Sequence, residues 1–189
     1  MTDSGFLSSD KIQLRGLKRE DLPAYRSWIE NPLATDLMET GWRPVSDAEL
    51  NELYSSSAEK NDAVVFTIVP KTLNRPIGIC GLYAIQWICR RADFRILIGD
   101  DDARGKGFGT DAAKLIVDYG FGKLNLETIY LGVNVENIKA VRSYEAAGFV
   151  HEGVRRKLIY RNGRYYDALM MSVLREEWAA RRQGKSASR

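Results

Sequence analysis

The stretch Arg104-Gly105-Lys106-Gly107-Phe108-Gly109-Thr110 constrains this chain more than any other. It follows an apolar run, Phe94 to Ile98 broken only by Arg95, that reads as a buried strand. It precedes Asp111 to Phe121, where Ala112, Leu115, Ile116 and Tyr119 share one helical face. Strand, glycine-rich turn and helix together can hold a phosphate. The glycines let the backbone approach closely, and the free N–H groups at the helix start point at the anion. Arg104 and Lys106 add positive charge at the same place. The expectation is a phosphate-bearing cofactor.

Three cofactor patterns compete for this loop. A nucleotide-hydrolase loop requires G-x-x-x-x-G-K-[ST], and no such string occurs. A dinucleotide fingerprint is met by Gly107-x-Gly109-x-x-Ala112, with Glu127 at about the right distance for the ribose acid. Yet that acid should end the next strand, and Glu127 begins it. The motif also starts past mid-chain, late for a full dinucleotide domain. The third pattern, [Q/R]-x-x-G-x-[G/A], is met by Arg104-x-x-Gly107-x-Gly109. An ordinary tight turn with solvated charges is the remaining alternative.

The 189 residues suit one domain with a sizeable core, and 44% apolar with 28% charged content suits a globular chain. No apolar run reaches membrane-spanning length, and the N-terminus lacks a secretory pattern, so the expected compartment is the cytoplasm, with no membrane partner. Cys80 and Cys89 form neither a disulfide framework nor a metal cluster, and no metal is expected. His151, the only histidine, reads as a half-exposed position rather than a base. A net charge of +3 is too small to argue for nucleic acid, so an amine site would need its own local acids.

In chain order, residues 1–10 and 179–189 read as flexible termini around a single domain over 11–178. Ile12 to Leu17 alternates as a strand, and Leu22 to Glu30 has helical spacing that Asn31-Pro32 stops. Leu33 to Val45 is irregular and either shapes a substrate pocket or is pinned to the core by Trp42 and Met38. Ser46-Asp47-Ala48-Glu49 predicts a capping box and a helix to about Ala58. Ala63–Val69, Ile77–Ile85 and Ala92–Gly99 predict an antiparallel meander. Beyond the loop and its helix come a strand over Thr128–Asn134, a helix ended by Gly148 as a left-handed cap, and a hairpin turning at Asn162-Gly163.

This order, and two motifs within it, carry a resemblance. Arg104-x-x-Gly107-x-Gly109 and Asn137-x-Lys139-Ala140-x-x-x-Tyr144-x-x-x-Gly148-Phe149 resemble the acetyl-CoA loop and following helix of the GCN5-related N-acetyltransferase (GNAT) superfamily. Ile12-Gln13-Leu14-Arg15-Gly16-Leu17, with Asp21-Leu22, is similar to the branch holding ribosomal-protein N-acetyltransferases. Arg90-Arg91-Ala92-Asp93-Phe94, Ala112 to Leu115, Asp118 to Phe121 and Leu124-Asn125-Leu126 look like bacterial spermidine N-acetyltransferases, with Asp93 where those commonly carry glutamate. The resemblance implies an α/β (α+β) GNAT fold, a central mixed, mostly antiparallel sheet flanked by helices. It also implies acetyl-CoA as donor and direct transfer in a ternary complex to a small-molecule amine or a peptide. The acceptor is a polyamine, an amino sugar or a protein N-terminus; a CoA-binding module without catalysis is the rival. A homo-oligomer is admitted.

Under that resemblance, the backbone of Gly105, Lys106, Gly107, Phe108, Gly109 and Thr110, with Arg104 nearby, holds the pyrophosphate. Ile96, Leu97 and Ile98 splay from the neighbouring strand and bind the pantetheine arm, with the Ile98 N–H as oxyanion donor. Tyr144 is the general acid to the departing sulfur, or else a core aromatic. Asn137 and Ala140 meet the pantetheine arm, or Asn137 is simply an N-cap. Asp93 takes the ammonium proton or binds the cation, or else pairs with Arg90 or Arg91.

Overall fold

A computed structural model describes residues 5–59 and 61–186. Eight strands form one sheet in the order β1-β2-β3-β4-β5-β6-β8-β7. They are β1 (Leu7–Ser8), β2 (Ile12–Gly16), β3 (Val64–Pro70), β4 (Gly78–Gln86), β5 (Arg91–Ile98), β6 (Thr128–Asn134), β7 (Val150–Arg161) and β8 (Arg164–Leu174). Every neighbouring pair is antiparallel except β5 and β6. The mixed, mostly antiparallel sheet is the one expected.

Helices α1 (Leu22–Ile29), α2 (Pro32–Thr35), α3 (Asp47–Glu59), α4 (Phe108–Gly122), α5 (Ile138–Ala147) and α6 (Arg175–Ser186) surround it. Strand alternation divides the apolar side chains between two faces. Leu14, Phe66, Ile68, Leu82, Phe94, Ile129 and Leu131 pack with Ala112, Ile116 and Phe121 of α4. Val65, Ile79 and Leu97 pack on the opposite face with Trp28, Tyr25 and Met38. The sheet is therefore sandwiched between α4 and the region of α1.

Two local signals act as read. Gly148 takes φ +103° and closes α5, its N–H donating to the carbonyls of Glu145 and Tyr144. Asn162 and Gly163 both take positive φ in the β7–β8 turn, as a two-residue primed turn requires.

The termini are more structured than the sequence suggests. Residues 7–8 add a short strand beside β2, and the chain remains helical from Arg175 to Ser186. Trp178 fixes α6: its ring lies 5.4 Å from that of Phe121, and its Nε1 donates to Asp118 at 2.6 Å. Residues 1–4 and 187–189 of the expected flexible ends lie outside the described residues. Leu33 to Val45 is not wholly irregular either. Asn31 caps α2 through Leu33 N–H, and Pro32 occupies its first turn.

The capping box of α3 is formed in full. Glu49 accepts from the Ser46 N–H at 3.0 Å and Ser46 Oγ at 2.9 Å, while the Glu49 N–H donates back to Ser46 Oγ at 3.2 Å. The Ser46 N–H, then Arg43, hold the Glu49 carboxyl down at about 2 against an ordinary 4.5. Its folded value lies below its unfolded one, so the stabilisation is complete above about pH 4.5 and fades as pH falls toward 2. Thermal melts of wild type and Glu49→Gln should differ at pH 6 and converge as the pH approaches 2.

Candidate active site

The site begins where β5 and β6 part. They pair only at Arg91–Thr128, Ala92–Ile129 and Asp93–Tyr130. Beyond Asp93 the strands diverge, as expected, while β5 stays paired with β4 up to Ile98. Gly99 N–H donates to the Ile77 carbonyl on the β4 side at 3.0 Å, and the Arg90 carbonyl accepts from Thr128 on the β6 side at 3.2 Å. Alternation of the extended chain then turns the main-chain groups of Phe94, Ile96 and Ile98 toward the gap. Leu97 turns the other way: its main chain faces β4 and its side chain packs on Trp28. Of the three residues assigned to the donor arm, Ile96 and Ile98 line the gap through their main chain and Leu97 does not.

The loop closes one end of this gap. Gly105 and Gly107 take φ +74° and +82°, and Gly107 is the left-handed N-cap of α4. Helix α4 thus starts at Phe108, three residues before the expected Asp111. Asp111 makes the first helical bond, its N–H donating to the Gly107 carbonyl at 3.1 Å. The N–H groups of Phe108, Gly109 and Thr110 therefore form the open first turn. Phe108 buries its ring in the core, so it anchors the turn while offering only its amide. Lys106 is exposed beside them.

Two contributors at this end went unread in the sequence. Lys11 comes from the segment before β2, and its Nζ lies 3.6 Å from where a Gly107 Cβ would stand. Ser143, on α5, exchanges a 2.7 Å hydrogen bond with Thr110 and ties the two helices together. Neither has a local pattern; only the fold brings them to the loop.

Arg104 is not aimed at the amides. Its Nε donates to the Ile98 carbonyl at 3.1 Å, its other nitrogens to Leu33 and Gly99 at 3.0 and 3.4 Å, and it pairs with Asp101 at 2.8 Å. Asn137 acts as the N-cap of α5, its Oδ1 accepting from the Ala140 N–H at 3.2 Å. At the end of β6, Asn134 is buried with Oδ1 accepting from Glu136 and Nδ2 unpaired, a donor the sequence did not flag.

Tyr144 packs on the α4 side of the sheet and feels the charge of Asp93, which lies on the other side. The Tyr144 ring stands edge-on to Phe94 and Phe149 at 6.1 and 5.9 Å. Burial, and then the charge of Asp93, push its phenol up to about 12. Asp93 lies on the face opposite α4, and burial raises its carboxyl against the opposing pull of Arg95. The expected partners of Asp93 are corrected: Arg95 Nε donates to it at 2.8 Å, whereas Arg90 pairs with Glu127 and Arg91 with Gln86. The strand period puts Arg90 on the other face, and Arg91, which shares the face of Asp93, is held by Gln86, leaving Arg95. Arg95 also lies over the Tyr83 ring, 5.2 Å from its centre, and feels Glu39 from the 33–45 segment. Asp36 of that segment accepts from Asn162 at 3.3 Å.

An open helix start beside Lys106, a sheet edge left unpaired beyond Asp93, and a buried phenol that feels the charge of Asp93 lie around one gap. The chain belongs to the acetyltransferase (GNAT) family, whose domain profile matches residues 11–150. It is an acetyl-CoA-dependent N-acetyltransferase. It is 34% identical over 183 residues to the spermidine N(1)-acetyltransferase of Vibrio cholerae, covering 92% of this chain and 98% of that one. The Escherichia coli K12 protein of the same name is 32% identical, with 92% and 91% covered. The crystal structure of the Vibrio cholerae spermidine N-acetyltransferase in complex with CoA and spermine superposes with a TM-score of 0.80 at 34% identity, covering 90% of this chain and 99% of that one. Among the described residues no helix is long and apolar enough to cross a membrane, and no acid, histidine and cysteine group could hold a metal.

Proposed function

We propose that this enzyme acetylates a primary amine of a polyamine or similar small amine. The observation that carries the reading is Asp93: a carboxylate on the acceptor face, beside the gap, within electrostatic reach of the phenol that faces the donor. Relatives named for spermidine support it. The residues present suit the donor. The amides of Phe108, Gly109 and Thr110, with Lys106 and Lys11, would hold the pyrophosphate. The open edge of Ile96 and Ile98 would meet the pantetheine amides, as would Asn137 and Ala140 at the start of α5. Acetyl-CoA supplies the activated thioester.

The chemistry follows from these placements. The acceptor enters as an ammonium of pKa ~10 and is drawn to Asp93, which accepts its proton directly or through water. The neutral amine attacks the thioester carbonyl from the acceptor face. The Ile98 N–H, on the open edge, stabilises the developing oxyanion. The intermediate collapses, the C–S bond breaks, and Tyr144 gives its proton to the departing sulfur. The nitrogen sheds its second proton to solvent as the amide forms, solvent reprotonates Tyr144, and Asp93 releases its proton to solvent.

We also read the chain as a single domain that takes in β1 and α6, the compartment as the cytoplasm, and the assembly as a homo-oligomer. Support for the last is the outer strand β7, which exposes Val150, Val154, Leu158 and Tyr160 along an unpaired edge.

The test is CoA release from acetyl-CoA across spermidine, spermine, an amino-sugar nucleotide, an aminoglycoside and a peptide with a free N-terminus. Release with the two polyamines alone is expected. Release with the peptide or the sugars instead would transfer the assignment to that class.

A further inference from the structure

We infer that Arg104 is a positioning residue that ties the acceptor-side segment 32–43 to the end of the oxyanion-donor strand, and that it is not a ligand of the pyrophosphate. The inference rests on the reading of that segment as the acceptor side. Arg104 has Asp101 as its anionic partner, and its three nitrogens donate to three carbonyls. Two of the carbonyls are those of Ile98, which ends β5, and Gly99, which follows it. The third, Leu33, belongs to α2. A planar guanidinium can bridge both at once because its N–H groups form a rigid fork.

The position of those bonds matters more than their number. Ile98 presents both its N–H and its carbonyl to the gap, so a donor on the carbonyl fixes the peptide direction next to the thioester. Leu33 opens the stretch that includes Met38, packed near Leu97, and Glu39, which acts on Arg95. One side chain thus sets the distance between the thioester end of β5 and the groups that face the amine. Positive charge for the phosphates is available without it, from Lys106 and Lys11.

The segment has a second tether. Arg161, at the end of β7, is buried and donates to the carbonyls of Thr35, at 2.9 Å, and Thr40. Loss of Arg104 therefore frees the Leu33 end while Arg161 keeps the rest in place, and the variant is expected to fold.

The experiment compares wild type with Arg104→Gln and Arg104→Lys. Calorimetry with CoA measures the donor site, amide exchange over residues 31–43 measures the segment, and spermidine KM measures the acceptor site. In Arg104→Gln, CoA affinity should stay within about threefold, exchange at Ala34 and Asp36 should speed up about tenfold, and spermidine KM should rise about tenfold, the scale of one lost charge-assisted bond. Arg104→Lys keeps the charge but cannot span both segments, so its exchange and KM should follow Arg104→Gln. A loss of CoA affinity of about tenfold or more in Arg104→Gln, restored by Arg104→Lys, marks a phosphate ligand and overturns the inference. Unchanged exchange in both variants overturns it too. Should wild type release no CoA with any polyamine, the acceptor assignment fails while calorimetry and exchange still decide the role of Arg104.

Discussion

Tyr144→Phe should lower turnover by ~10²-fold and leave CoA affinity unchanged. The ring is held by Phe94 and Phe149, and phenylalanine keeps those contacts. Only the proton for the sulfur is lost. A phenol raised to about 12 is protonated throughout the range in which the enzyme can be assayed. The pH–rate curve of wild type should therefore show no falling limb from Tyr144 up to pH ~10. Steady-state kinetics beside CoA calorimetry separate the two effects. Equal turnover in the variant would make Tyr144 a packing residue and leave the thiolate to depart unaided.

The second large effect is expected at Gly109. A side chain there would point into the corner between β5 and α5, its Cβ 3.7 to 3.9 Å from Ile98, Ile96 and Ser143. Those are ordinary contacts, so the protein itself tolerates the carbon. On the proposed placement the donor lies over the open amides of α4 and the gap, and a branched side chain would crowd it. Gly109→Val should lower CoA affinity by ~10²-fold, the scale of losing two close polar contacts, while its melting temperature stays within a few degrees of wild type. Titration calorimetry and a thermal melt on the same sample make the check. Retained affinity would place the phosphates elsewhere.

The two motifs were legible because each fixes local backbone. Glycines at 105, 107 and 148 take the left-handed conformation their pattern implies. The strand-to-helix order, the capping box at Ser46 and the turn at Asn162 belong to the same class of signal. Tertiary partners were not legible. Arg104 sits in the motif, yet its bonds run to Leu33, 71 residues away, and to the strand before it. Asp93 has two arginines just upstream, but Arg90 faces the other side and Gln86 of the neighbouring strand takes Arg91, so its partner is Arg95. Lys11 and Ser143 reach the loop from opposite ends of the chain, and no spacing encodes that. The start of α4 was read three residues late because hydrophobic period reports the buried face, whereas the first helical turn is set by the cap.

Three residue pairs join two otherwise complete half-sheets, one of β1 to β5 and one of β6, β8 and β7. Beyond them the rungs are missing, and a chain that paired them would have gained its own hydrogen bonds and lost its substrate. On the proposed donor placement, an amide-bearing arm laid into that seam would behave as a borrowed strand. The donor would then be a transient structural part of the fold, replaced at every turnover.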